Sequence, residues 1–121
     1  MMKIVFDLDG CLLWDFGEYE SEVFAFTPLV KLVRSLKGLA ELIAVTGRVD
    51  VPQEVASLFD RVITRPFPVE PEETFMDRYH VWKCETIAGI NPIIAYDDNE
   101  RLIDWLNTNG ITAVLIPAYK R

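Results

Sequence analysis

Asp7 and Asp9 flank Leu8, follow the run Lys3-Ile4-Val5-Phe6 and lead into Gly10. Side chains alternate along a strand, so the two carboxylates point to one side and Leu8 to the other. Carboxylates this close repel, and the repulsion is relieved by a shared proton or a bound cation. Either remedy makes a reactive site. Gly10 lets the backbone turn sharply and approach a ligand. Taken alone, an Asp-Gly pair at a strand end also fits a hairpin turn.

Two further clusters follow the same plan. Leu42-Ile43-Ala44-Val45 runs into Thr46-Gly47-Arg48, and Pro92-Ile93-Ile94-Ala95-Tyr96 runs into Asp97-Asp98. In an open parallel sheet, ligands bind beyond the carboxyl ends of the strands, where strand order reverses. Three apolar strands that end in polar clusters fit that plan, and this context favours chemistry over a hairpin turn.

The clusters need elements to hold them. Strands are expected at residues 3–7, 41–46, 61–64, 92–96 and 111–116. Helices are expected at 28–37, with Leu29, Val30, Leu32, Val33 and Leu36 on one face, and at 52–59, 77–87 and 99–109. Asp50 is expected to cap the second helix, which opens with an early proline, and Gly110 to close the last as a left-handed cap. Residues 66–73 read as a rigid acidic loop. Residues 12–27 make a long connection carrying Trp14, Phe16, Tyr19, Phe24 and Phe26, and a long loop beside a strand-end site is usually functional. Strands alternating with helices over short loops predict a parallel sheet with right-handed crossovers, an α/β three-layer sandwich.

The chain has 121 residues, half of them hydrophobic, which is enough for a core and predicts a single domain over 1–121. No segment approaches the roughly 20 apolar residues of a membrane span, and residues 1–9 have a strand pattern, not that of a signal peptide. A cytoplasmic protein with no membrane partner is expected. Cys11 and Cys84 are too few for a disulfide framework and lack metal-type spacing, so reduced thiols in structural roles are expected. The net charge is −7, and no basic stripe offers an extended nucleic-acid groove. Part of the excess is local, in Glu18, Glu20 and Glu22 and in Glu70, Glu72 and Glu73. A bound divalent cation would offset several of the site carboxylates.

Taken in order, strand-Asp-x-Asp-Gly, strand-Thr-Gly-Arg, Lys83 on a later helix and strand-Asp-Asp resemble the haloacid dehalogenase superfamily of phosphotransferases over nearly the whole chain. Within it, Val45 to Arg48, the segment 77–87 with Val81-Trp82-Lys83, and Tyr96 to Asn99 are most similar to the 3′-phosphatase domain of phage-type polynucleotide kinases. The resemblance implies a Rossmann-like sheet ordered 5-4-1-2-3, which brings the clusters together. It implies Asp7 as nucleophile, forming an aspartyl phosphate, and Asp9 as the acid and base for the leaving group and the water. Thr46 would hold a phosphoryl oxygen, Lys83 would neutralise charge, and Gly10, Gly47 and Arg48 would line the substrate. Asp97, helped by Asp98, would hold Mg²⁺ together with Asp7 and the backbone carbonyl of Asp9. Cys11 departs from the threonine usual in the family.

Other residues keep two readings. Arg48 could fork onto a phosphate or pair with a carboxylate. Lys83 read without its neighbours is a solvated helix lysine. His80 fits surface or helix packing better than catalysis, because the mechanism already has its acid and base. Trp14, Phe16 and Tyr19 could stack on a nucleobase or cover the sheet, while Trp82 and Trp105 fit the core. The expected activity is Mg²⁺-dependent hydrolysis of a phosphomonoester, on a nucleic-acid 3′ end or a nucleotide. The alternatives are a phosphatase for a small metabolite and a catalytically silent binding domain. The gaps at 12–27 and 66–78 are too short for a cap domain. An open site of this kind points to a phosphate on a larger molecule.

Overall fold

The structure, a computed structural model, describes residues 1–9, 11 and 28–116. Gly10 and the aromatic residues of 12–27 lie outside the described residues. The elements are β1 (Lys3–Phe6), α1 (Pro28–Leu36), β2 (Glu41–Thr46), α2 (Gln53–Ala56), β3 (Arg61–Thr64), α3 (Glu72–Ile90), β4 (Ile94–Asp97), α4 (Glu100–Thr108) and β5 (Ala113–Leu115). The five strands form one parallel sheet in the order β3-β2-β1-β4-β5. The α/β class and the strand order agree with the expectation from the sequence. The chain winds outward from β1 to β3 and then returns to β4 on the other side. The switch point is therefore the carboxyl end of β1.

Strand alternation sorts the core into two layers. Ile4, Phe6 and Leu8 join Leu42 and Ala44 on one face, packed against Leu29, Val30 and Val33 of α1 and Val55 of α2. Val5, Ile43, Val45 and Ala95 point the other way, against Cys84 and Ile87 of α3 and Leu102, Ile103 and Leu106 of α4. Both faces of the sheet are covered, as a parallel sheet requires. By the same parity Asp7 follows Val5, and Asp97 follows Ala95, onto the α3 side.

Helix ends depart from the sequence expectation in two places. α3 starts at Glu72 and not near residue 77, and it runs on to Ile90, where Asn91 takes the left-handed conformation with φ 54°. Its first turn carries Glu72 and Glu73, whose negative charge suits the positive end of a helix dipole. The same acidic residues beside prolines look like a loop in the sequence. α2 is only Gln53–Ala56, and Asp50 does not cap it, since Pro52 occupies the N-cap position without a side-chain bond. Asp50 stands ahead of the position from which a side chain reaches the first free amides. Gly110 does take the left-handed conformation, with φ 82°.

At the outer edge, the Asn107 side chain accepts from Ala113 N–H at 2.8 Å and donates to Ala113 C=O at 3.2 Å. Residues 65–71, between β3 and α3, are too few for a cap domain. Among the described residues no helix is long and apolar enough to cross a membrane.

Candidate functional site

The parity of β1 and β4 delivers Asp7 and Asp97 to the α3 side of the sheet, where Lys83 meets both. Its Nζ lies 2.7 Å from Asp7 Oδ1 and 2.7 Å from Asp97 Oδ2. All three side chains are buried. Lys83 also donates to Tyr79 Oη at 3.2 Å, one helical turn earlier on α3. Asp97 Oδ1 accepts the Asn99 N–H at 3.0 Å. Asp97 Oδ2 is buried and has no well-directed hydrogen bond, so the ammonium beside it acts there as a charge.

One ammonium serves several carboxylates. Burial pushes the Asp7 carboxyl well up, against the pull of Lys83, and the charges of Asp97 and Asp98 add to the rise. Asp98 is pushed up as well, first by burial. For Lys83, burial works against the charged form, but the charges of Asp7 and Asp97 outweigh it and hold its pKa well above the ordinary lysine range. The lysine is therefore a fixed cation in a pocket with surplus negative charge.

Asp7, Cys11 and Asp98 offer ligand atoms within 4.8 Å of one another, a grouping that could hold a metal ion. The two carboxylates supply the hard oxygens that Mg²⁺ prefers. Cys11 does not fit that preference. Burial raises its thiol pKa strongly, aided by Asp7, so the sulfur keeps its proton and points it at Asp7 Oδ2, 3.9 Å away. Cys11 N–H bonds Leu8 C=O at 3.1 Å, and this turn carries the thiol back to the end of β1. No cysteine spacing announces such a contact. Asp97 is turned toward Lys83 and the Asn99 amide, so the grouping contains Asp98 and not Asp97.

Arg48 and Asp9 form a more open rim. Arg48 Nε donates to both oxygens of Asp9 at 3.0 Å, which is the carboxylate arm of its two readings. Thr46 is buried, and its Oγ1 accepts the Arg48 N–H at 3.1 Å. Asp7, Asp9, Gly47, Asp97, Asp98 and Asn99 line a cavity of about 290 Å³ with Phe75, Met76 and Tyr79. Gly47 has a steric reason to be glycine, because a Cβ there would sit 3.0 Å from the Tyr79 ring and hydroxyl.

Phe75, Met76, Tyr79 and Asn99 of the cavity, and Cys11 of the possible metal grouping, are the site residues that the sequence reading missed. The available signal was the spacing of Phe75, Tyr79 and Lys83, which puts all three on one helical face. His80 stands apart from the cavity, 3.5 Å from Cys84 Sγ. Trp105 packs partly buried against the α4 core, and Trp82 stacks beside Tyr79 with ring centroids 6.0 Å apart.

No family model matches the chain, and no curated protein does. Among solved structures, a chain of the Pnkp1/Rnl/Hen1 RNA repair complex has a similar fold, with TM-score 0.61 and 16% identity. The match covers 96% of this chain and 42% of that chain. At this identity the likeness concerns the fold, and this chain spans less than half of that one.

Proposed function

We propose that the protein is a Mg²⁺-dependent phosphomonoester hydrolase of the haloacid dehalogenase type, which works through an aspartyl phosphate on a nucleic-acid 3′-phosphate or a nucleotide. The observation that carries this is the cluster of Asp7, Asp97 and Asp98 around the single buried ammonium of Lys83, at the switch point of the sheet. Such a surplus of carboxylates calls for a cation, and a phosphate needs cationic partners in turn.

In this mechanism an Asp7 carboxylate oxygen attacks phosphorus while the bond to the ester oxygen breaks. Asp9, which takes up a proton from solvent when Arg48 leaves it and returns one to solvent when Arg48 comes back, gives its proton to that leaving oxygen. The protonless Asp9 then takes a proton from a water, whose oxygen attacks the phosphorus of the aspartyl phosphate. The bond to Asp7 breaks and inorganic phosphate leaves, so the enzyme ends as it began. Lys83 fixes the Asp7 rotamer from one side and faces the charge that develops on the phosphoryl oxygens. Thr46 and the amides near Gly47 would hold a further phosphoryl oxygen. Arg48 would leave Asp9 for the arriving phosphate, which frees the acid at the moment it is needed. Asp7 and Asp98, with the backbone carbonyl of Asp9, would hold Mg²⁺, which supplies positive charge to the transferred group.

The nucleic-acid context draws support from the repair complex that holds the structural relative and from a cavity that no cap domain covers among the described residues. The test is a panel of nitrophenyl phosphate, sugar phosphates, mononucleotides and a 3′-phosphorylated oligonucleotide, each with and without Mg²⁺. Release of phosphate only with the metal, and a phosphorylated Asp7 peptide trapped by acid quench, are the expected results. A folded protein that releases no phosphate from any of them refutes the proposal.

A further inference from the structure

Beside the cavity, along the first turns of α3 and the residues before it, lies a cluster of rings and guanidinium groups that the phosphate chemistry does not use. Phe75 and Tyr79 stack with an interplanar angle of 2°. Phe67 meets the edges of Phe75 and Trp82, with centroids 6.1 Å apart in each case. Arg65 lies 5.0 Å from the Phe75 ring centre and Arg78 lies 5.1 Å from that of Phe67. Both guanidinium groups spend their hydrogen bonds on neutral oxygens. Arg65 bonds the carbonyls of Gly47 and Phe67. Arg78 bonds the Thr74 hydroxyl and the carbonyls of Val69 and Pro71. Neither forms an ion pair with a carboxylate among the described residues. In a chain of net charge −7, two guanidinium groups without a carboxylate partner beside half-buried rings are a departure from the background.

This cluster is continuous with the reactive cavity. Phe75 lines the cavity, its neighbour Phe67 lines an adjoining groove of about 590 Å³, and Arg78, Val81 and Trp82 complete the apolar wall of that groove. Asp77 and Glu85 also border it. They would repel a phosphate backbone and so limit the length of chain accommodated.

We propose that Phe67, Phe75 and Trp82, with Arg65 and Arg78, form a subsite for the last bases and phosphodiester of a single-stranded oligonucleotide whose terminal phosphate occupies the Asp7 cavity. The proposal rests on the phosphatase reading of that cavity and adds the path of the chain leaving it. Rings supply stacking surface for any base, and guanidinium groups over rings supply charge for the backbone. The footprint is short, in keeping with the absence of a basic stripe.

Binding in EDTA separates this from catalysis. The probes are a fluorescein-labelled 3′-phosphorylated tetranucleotide and the same sugar-phosphate chain without bases. We expect the tetranucleotide to bind about tenfold tighter than the abasic chain, a modest value for base stacking. Met76 and Val81 are 60% and 50% exposed, so Met76→Glu and Val81→Glu keep the fold and should each weaken tetranucleotide binding several-fold. Arg78→Gln should lower the slope of log affinity against log salt by about 0.7. Equal affinity for the two probes, or unchanged binding in both glutamate variants, overturns the subsite. Nitrophenyl phosphate turnover by the same wild-type preparation reports separately on the phosphatase. If that turnover is absent while the binding pattern holds, the catalytic reading fails and the subsite stands.

Discussion

The site contains three ion pairs of similar length in two different surroundings. Lys83 and its partners Asp7 and Asp97 are nearly closed off, with side-chain exposures of 4%, 7% and 2%, whereas Arg48 and Asp9 keep 22% and 36%. At the closed end burial limits solvent screening, so charges hold one geometry and act strongly on each other. At the rim, solvent screens the pair and either partner can leave at little cost. The closed end suits groups that must be in place before the substrate arrives. The rim suits groups that must change partners during a reaction.

Substitutions should separate the two regions. Asp7→Asn should abolish phosphate release while the fold persists, since the change is nearly isosteric and relieves repulsion with Asp98. Steady-state turnover near the wild-type level in that variant would remove Asp7 from the chemistry. Lys83→Met should cost about 3–5 kcal/mol in stability, because it strips buried carboxylates of their counter-charge, and denaturant unfolding reads it directly. Mg²⁺ should raise the melting temperature through about 2.7 kcal/mol at a hundredfold excess over its Kd. That gain should vanish in Asp98→Asn and shrink in Asp97→Asn, and an undiminished gain in Asp98→Asn would take this residue out of the proposed metal set.

The rim should respond differently. Arg48→Gln should change stability by only about 0–1 kcal/mol while lowering turnover, and a loss as large as that of Lys83→Met would erase the distinction. The smallest effect is in pH. Burial raises the Asp7 and Asp98 pKa values above the ordinary carboxylate range near 4, so the folded state binds these protons more tightly than the unfolded chain. The associated stability is full below that range and is lost as pH rises through the raised values. Melting curves in EDTA should therefore show a steeper loss from mildly acidic to neutral pH in the wild type than in Asp7→Asn.

The closed end was the more legible region in the sequence. Val5-Phe6-Asp7 and Ala95-Tyr96-Asp97 carry both the strand and its terminal carboxylate within a few residues, and a parallel sheet fixes where such ends meet. Lys83 needed the order of the motifs, since a helix lysine has no local mark of burial. Phe75 and Met76 were missed because the first turns of α3 resemble a loop, with Glu70, Glu72 and Glu73 set among prolines. Cys11 reaches Asp7 through a turn that no spacing rule describes. The direction of Arg48 was open because guanidinium serves phosphate and carboxylate equally well. Only the fold brings Asp9 within its reach.

The Asn107 side chain, bonded to both the amide and the carbonyl of Ala113, bears on how copies of the protein meet at high concentration. An outermost strand with unpaired backbone groups is a template on which another chain can add. Here a side-chain amide from α4 occupies the place of the next strand, so this part of the β5 border is already satisfied within the molecule. Self-association by strand addition is opposed there without a charge or a proline in the strand itself.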